Sequence, residues 1–105
     1  MSTLYMKDII GTFAENKDAA REIRLSHIMP AIKEGCEITL DFSSVTGATQ
    51  SFIHALISDA IRQYGDAALD LIEFRNCNPI VRELVITVTE YMQESRVTPL
   101  EPEEF

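Results

Sequence analysis

The middle of this chain reads Asp41-Phe42-Ser43-Ser44-Val45-Thr46-Gly47-Ala48-Thr49-Gln50-Ser51-Phe52. Hydroxyl and amide side chains crowd this stretch, and a single glycine interrupts it. Short polar side chains of this kind hydrogen-bond to loop amides and cap the helix that follows. The stretch is therefore predicted to be a loop that joins a strand to a helix.

The segments on either side of this loop have clear and different periodicities. Residues 37–42 alternate polar and apolar side chains, with Ile38, Leu40 and Phe42 on one face, which is typical of a strand. Residues 50–64 repeat apolar side chains every three or four positions, the strongest helical pattern in the chain. A strand, a polar loop and a long amphipathic helix are thus predicted in this order.

Towards the N-terminus the same alternation of strand and helix is predicted. Residues 4–10 read as a short strand that ends before Gly11. Residues 16–33 read as a helix with Asn16 as its N-cap. Pro30 lies inside this helix, and since proline has no backbone N–H, we expect a kink or an early end there.

Towards the C-terminus, residues 69–74 predict a third strand. The pair Asn78-Pro79 is a specific start signal for a third helix, which the pattern carries to about Ser95. The predicted fold is a single small α/β domain of order βαβαβα. It has a mostly parallel sheet of three to four strands packed with three helices. The domain is assigned to residues 1–96, and residues 97–105 are expected to form an acidic, flexible tail.

The charge of the chain excludes one large class of partner. There are 17 acidic and 9 basic residues, so the formal net charge is −8. Binding to nucleic acid requires a basic patch that displaces counterions, and we therefore exclude it. No signal-peptide pattern opens the chain, and no apolar stretch approaches the roughly 20 residues of a membrane span. A cytoplasmic protein without a membrane partner is expected.

The residue patterns that usually mark catalysis, metal binding or a cofactor do not occur in the sequence. Gly47 stands alone, so there is no glycine-rich phosphate loop. Ser51 and His54 lie one helical turn apart, but without the G-x-S-x-G elbow of a hydrolase. Asp41 is interpreted as an acceptor that organises the loop rather than as a metal ligand. We expect a protein that is not an enzyme, with no cofactor and no metal.

The residues Leu40 to Val45, followed by Ala48 to Phe52, resemble the signature of the STAS-like domain family. These proteins are relatives of the STAS domains of anti-sigma-factor antagonists. The resemblance runs from the Gly11 loop to about Met92, although a helix between the first two strands departs from the classical STAS order. It implies a regulatory protein whose partner is a histidine-kinase-like ATPase or an anti-sigma factor.

The resemblance also implies a candidate phosphoacceptor. In anti-sigma-factor antagonists a serine in the equivalent loop is phosphorylated, and alignment on Asp41 and Val45 places that serine at Ser51. Here Thr49 replaces the aspartate of the motif and Phe52 replaces its glycine, so Thr49 is the alternative phosphoacceptor. The predicted partner-binding residues are Asp41, Ser43, Ser44, Thr46, Gly47, Thr49, Gln50, Ser51 and Phe52.

Three functions are compatible with these patterns. The first is a regulatory domain that binds a protein partner through the loop and the following helix. The second is a small-ligand or nucleotide sensor that uses the same crevice, and the third is an enzyme that uses Ser51 and His54. A homodimer is also expected, because a short sheet leaves its edge strands unpaired. The first strand is the candidate edge, with Lys7 and Asp8 as protecting charges.

Overall fold

The computed structural model describes residues 2–97, and it describes side chains for residues 3–92. The strands are β1 (Ser2–Tyr5), β2 (Phe13–Ala14), β3 (Ile38–Asp41), β4 (Gly47–Ala48) and β5 (Ile72–Arg75). The helices are α1 (Met6–Ile10), α2 (Lys17–Ile23), α3 (Met29–Lys33), α4 (Gln50–Tyr64), α5 (Asp66–Leu71) and α6 (Pro79–Val97). Residues 98–105, which make up nearly all of the predicted tail, lie outside the described residues.

Three strands form the main sheet, in the order β1-β3-β5, and all of them are parallel. β3 lies at the centre, and all four of its residues are buried. The prediction of a small α/β domain with a parallel sheet is confirmed. The strict βαβαβα order is not, because the described chain also contains the short helices α1 and α5 and a separate parallel pair of strands, β2 and β4.

One face of the main sheet is apolar and packs against the helices. Leu4, Leu40 and Phe74 lie in register across the three strands. The ring of Phe74 stacks with that of Phe42, with 6.3 Å between the ring centroids. Six apolar side chains of α4 are buried in the same core, which are Phe52, Ile53, Leu56, Ile57, Ala60 and Ile61. Since burying one large apolar side chain contributes about 1.5–3 kcal/mol, this helix is a main source of stability.

The predicted first strand is only half strand. β1 ends at Tyr5, and the chain then turns into α1, which directs Met6 into the core, where it is fully buried. Burial of this long side chain favours the helical turn over a longer strand, and Gly11, at φ 81°, ends it. Lys7 and Asp8 therefore lie on α1, and the prediction that they protect a strand edge is wrong.

The predicted third strand begins too early. Residues 66–71 form α5, and β5 begins only at Ile72. The segment contains Ala67, Ala68 and Leu69, which are strong helix formers, and Ala68 is fully buried. Helix propensity, together with packing of Ala68, decides this segment against the strand prediction.

The predicted first helix continues past Pro30 instead of ending there. A π-helical segment (Arg24–Ile28) links α2 to α3, and the Met29 N–H donates to the carbonyl oxygen of Arg24, five residues back. Pro30 cannot donate to the carbonyl of Ser26, and a π turn is one of the ways in which a helix absorbs such a missing bond. The helix therefore reaches Lys33.

The second and third predicted helices begin where the sequence places them. α4 has the predicted bounds, and the N–H of Gly65 closes it by donating to the carbonyl of Ile61 at 2.7 Å. α6 begins at Pro79, as the Asn78-Pro79 signal predicts. Among the helices within residues 2–97, none combines the length and the apolar character needed to cross a membrane.

Candidate functional site at the loop after the central strand

Asp41 is the centre of the hydrogen bonds at the carboxyl end of β3. Its side chain accepts from the Ser43 backbone N–H at 2.8 Å and from the Ser43 hydroxyl at 2.6 Å. The Nδ2 of Asn76, beyond the end of β5, donates to both carboxylate oxygens at 3.2 Å. Asp41 thereby connects the loop after β3 to the loop after β5. The prediction that it organises the loop is confirmed.

These hydrogen bonds change the acidity of Asp41. The Ser43 hydroxyl is the largest cause that lowers the pKa of Asp41 below its ordinary value of 3.8. The Ser43 backbone N–H, Asn76 and the charge of Arg75 also lower this pKa, whereas burial, which disfavours the charged form, raises it. Each donor stabilises the ionised carboxylate, so folding favours the charged form.

The loop after β3 contains a short strand that the sequence analysis missed. Phe13 and Ala14 of β2 pair in parallel with Gly47 and Ala48 of β4. The Thr46 N–H donates to the carbonyl of Thr12 at 2.7 Å, and this extends the pairing by one bond. The absence of a side chain at Gly47 is the one available sequence signal, since a Cβ there would lie 2.9 Å from the Phe13 ring. β2 therefore fixes the path of the candidate loop.

Thr49 ends the loop and caps α4. Its hydroxyl oxygen accepts from the Phe52 N–H at 3.1 Å, and its own N–H donates to the carbonyl of Ala14 at 2.9 Å. Because the Thr49 oxygen already serves the helix, a phosphoryl group on it would disturb the cap. Ser51, two residues later, is exposed, and its hydroxyl makes no side-chain hydrogen bond within the described part of the chain.

The capping role of Thr49 gives a direct stability prediction. Thr49→Ala removes the acceptor of the Phe52 N–H, and we expect the free energy of unfolding to fall by about 1 kcal/mol. Thr49→Asp supplies another good N-cap acceptor and should retain stability. Chemical denaturation of both variants checks this, and equal losses in the two would contradict the capping role.

Asn78 connects the loop to α6 in two ways. Its Oδ1 accepts from the Val81 N–H at 2.8 Å, which confirms the predicted N-cap. Its Nδ2 donates to the carbonyl of Thr46 at 2.8 Å and, more weakly, to that of Val45 at 3.4 Å. The second role was missed, because the sequence does not show which carbonyls the amide of a cap residue will reach.

The nine predicted partner-binding residues separate into an exposed and an interior group. Five are exposed at the carboxyl edge of the sheet and the start of α4, which are Ser43, Ser44, Thr46, Gln50 and Ser51. Thr49 is half-buried, whereas Asp41, Gly47 and Phe52 are buried, Phe52 completely. The side chains of Asp41 and Phe52 support the loop from within, and Gly47 leaves room for the Phe13 ring. Partner binding itself stays a prediction.

Ser51 faces a surface depression of about 420 Å³, which Lys17, Gln50, His54 and Ala55 also line. Lys17 is the first residue of α2, so the depression lies between the N-terminal parts of two helices. Within the described residues, no hydrogen bond joins Ser51 to His54, and no cluster of three or more metal-binding side chains is found. A hydroxyl, an imidazole and an ammonium group thus share one open site.

Comparison with known proteins gives one match. The family model described as the STAS-like domain of unknown function (DUF4325) matches residues 19–82, more than half of the chain. The matched region runs from α2 to the first turn of α6, and it contains β3, the loop, α4 and β5. No curated protein and no solved structure matches the chain. The resemblance found in the residues 40–52 is therefore confirmed, and the chain belongs to the STAS-like domain family.

Proposed function

We propose that this chain is a cytoplasmic, non-enzymatic regulatory domain that binds a protein partner through the loop after β3 and the first turns of α4. Its binding is controlled by phosphorylation of Ser51. The partner class that the family resemblance suggests is a histidine-kinase-like ATPase or an anti-sigma factor. The observation that carries the proposal is the exposed Ser51 hydroxyl at the second position of α4, which makes no side-chain hydrogen bond to the residues that the structure describes.

The position of Ser51 supports its use as a phosphoacceptor over Thr49. The first turn of a helix presents free N–H groups and the positive end of the helix dipole, which together stabilise an added phosphate. Thr49 already uses its oxygen as the cap. A phosphate on Ser51 would therefore add charge to the surface without removing a hydrogen bond that the fold uses.

The charges around Ser51 also favour a phosphate there. Lys17 lines the same depression as Ser51, and the ion pairs of the described residues do not include it. The chain as a whole is strongly acidic, but the ammonium group of Lys17 makes the surface beside Ser51 locally positive. A basic partner surface attracted by the acidic chain would sense the extra negative charge directly.

Identification of the partner is the first test. A photo-crosslinking amino acid at Gln50 in cells is expected to capture an ATPase of the histidine-kinase-like class or an anti-sigma factor. The same amino acid at Gln63, which is exposed at the other end of α4, is the control and should not capture it. Capture of neither class at Gln50 would contradict the partner proposed here.

Phosphorylation control predicts a specific response to charge at position 51. Ser51→Asp is expected to change the affinity for the captured partner roughly tenfold, or about 1.4 kcal/mol, because it adds charge at the contact surface. Its stability should rise by less than about 1 kcal/mol, owing to the helix dipole. Titration calorimetry measures the affinity, and thermal melting measures the stability.

Two further variants control this experiment. Ser51→Ala should bind like the wild type, and Gln63→Glu, which adds the same charge at the far end of α4, should leave affinity unchanged. A Ser51→Asp variant that binds like the wild type would remove the switch from the proposal. Mass spectrometry of the chain isolated from cells should also find a phosphate on Ser51.

A small-ligand or nucleotide sensor is the second candidate function. The 420 Å³ depression beside Lys17 and His54 favours it, since its volume is in the range of small-molecule sites. Thermal melting with nucleotides distinguishes the two functions, because a ligand that binds the folded state must raise the melting temperature. An unchanged melting temperature at millimolar nucleotide would count against the sensor.

A further inference from the structure

The outer edge of β5 is unpaired in the described sheet, and its backbone groups have a defined direction. Within residues 2–97, β5 pairs with β3 on one side and with no strand on the other. The Phe42 N–H donates to the carbonyl of Arg75 at 2.8 Å, so the peptide groups of Arg75 face β3. Successive residues of a strand direct their N–H and C=O to opposite sides, and those of Phe74 therefore face the open edge. An open edge of this kind can pair with another strand.

The side chains that flank Phe74 carry opposite charges on the same face of the strand. Glu73 and Arg75 are both exposed, and they form an ion pair with 3.1 Å between nitrogen and oxygen. In an antiparallel pair about a two-fold axis at Phe74, Glu73 of one copy lies opposite Arg75 of the other, and the reverse pair forms as well. Such directly opposed pairs stabilise a sheet, and like charges destabilise it. The edge is therefore self-complementary in charge.

The hydrogen-bonding direction selects the same register. An antiparallel pair centred on Phe74 has the two Phe74 residues exchange N–H···O=C bonds. The flanking Glu73 and Arg75 positions become non-hydrogen-bonded pairs, in which side chains approach more closely. Two independent properties of β5, its free backbone groups and its charges, thus agree on one arrangement.

A groove of about 370 Å³, with both polar and apolar side chains in its lining, lies between β5 and α6. The groove is lined by Phe74, Asn76, Cys77, Arg82, Val85 and Ile86. Ile86 is 37% exposed, and Phe74 is half-buried. A second copy related by the two-fold axis would bring its own groove against this one, which covers apolar side chains that a single copy leaves in water.

We propose that β5 pairs antiparallel with β5 of a second copy of this chain, about a two-fold axis at Phe74, which makes a continuous six-stranded sheet. The other edge strand, β1, has no such charge pair, since its described exposed side chains are Thr3 and Tyr5. The homodimer interface is therefore assigned to β5 and not to the first strand.

Two charge reversals test the interface and its register together. Glu73→Arg places two arginines opposite each other twice in the dimer, and Arg75→Glu does the same with two glutamates. We expect each variant alone to raise the dimer dissociation constant roughly tenfold or more. In a one-to-one mixture of the two variants, both opposed pairs are attractive again, and we expect the heterodimer to form with near wild-type affinity. Sedimentation equilibrium measures all three cases.

The mixture is the decisive measurement. Each single variant also loses the ion pair within its own strand, so a weaker homodimer alone has two explanations. Recovery in the mixture has a single explanation. Each chain in the mixture still lacks the ion pair within its own strand, so only the attraction between the two chains can restore the affinity. The proposal is overturned if the wild-type chain stays monomeric up to about 1 mM. At that concentration a dimer with a binding free energy of about −4 kcal/mol is already half formed. A dimer that neither reversal weakens, or a mixture that does not recover, overturns it as well.

Discussion

Asn78→Ala is expected to lower the free energy of unfolding by roughly 2–3 kcal/mol. The substitution removes the N-cap acceptor of the Val81 N–H, which is worth about 1 kcal/mol. It also removes the Nδ2 donor to the carbonyls of Thr46 and Val45, and net hydrogen bonds contribute about 0.5–1.5 kcal/mol each. Urea denaturation measures the loss, provided that the slope of the unfolding free energy against urea concentration is the same in the variant and the wild type.

Asn78→Asp separates the two roles of this residue. The aspartate can still accept a hydrogen bond as the N-cap, but it has no N–H group to donate. Its negatively charged oxygen would repel the carbonyl oxygens of Thr46 and Val45. We expect it to lose roughly 1–2 kcal/mol, less than the alanine variant. An aspartate variant as stable as the wild type would show that the bonds to the loop contribute nothing, and α6 would then be capped but not tied to the candidate site.

The parts of the fold that the sequence predicts well are those in which several local signals agree. α4 combines a capping threonine, a wide apolar face and a terminal glycine, and its bounds are as predicted. α6 begins where Asn78-Pro79 requires. In both helices the cap residue is followed by apolar residues at helical spacing. Local propensity and core packing therefore favour the same first residue of the helix.

The parts that were missed depend on contacts between distant residues. The β2–β4 pair is formed by two strands that are far apart in sequence. Each strand has two residues, which are too few to show the alternation of side chains that predicts a strand. α1 and α5 replace predicted strand residues because Met6 and Ala68 enter the core, which is a tertiary effect. Short apolar segments are ambiguous between helix and strand until such packing decides them.

The candidate site shows the same division. The loop, the Asn78 cap of α6 and the organising role of Asp41 could be predicted from the sequence. The Thr49 cap of α4 could not, nor could the side chains of the loop that face inwards, because the backbone path depends on unusual conformations. Ser44 and Asn76 both have positive φ, 66° and 60°, which few residues other than glycine adopt. Lys17 was also missed as a neighbour of Ser51, since only the packing of α2 against α4 brings them to one depression.

Asp41→Ala is expected to give the largest loss of stability among these variants, roughly 3 kcal/mol at neutral pH. The carboxylate is buried, with 7% of its residue surface exposed, and it accepts from Ser43 and Asn76. Hydrogen bonds to a charged group contribute more than bonds between neutral groups, and Asp41→Ala removes all of these bonds at once. Denaturant unfolding at pH 7 checks the value.

The pH dependence of the stability loss separates the contribution of the Asp41 charge from that of the side chain's shape. Folding lowers the pKa of Asp41 below 3.8, so the carboxylate contributes its full stability above that pH. The contribution is lost as the pH falls below 3.8 and through the lower value of the folded state. We therefore expect the difference in unfolding free energy between the wild type and Asp41→Asn to shrink in that range. A difference that is constant with pH would contradict the role of the charge.

Ser43→Ala provides the matched control, because the Ser43 hydroxyl is the largest cause of the lowered pKa. Its removal should raise the pKa of Asp41 towards 3.8 and reduce the acid-dependent part of the stability, while the backbone N–H of residue 43 and Asn76 still hold the carboxylate. NMR titration of the Asp41 carboxyl carbon in both proteins measures this directly. An unchanged Asp41 pKa in Ser43→Ala would mean that the 2.6 Å bond is not what stabilises the charged form, which would then depend on the backbone N–H of residue 43 and on Asn76.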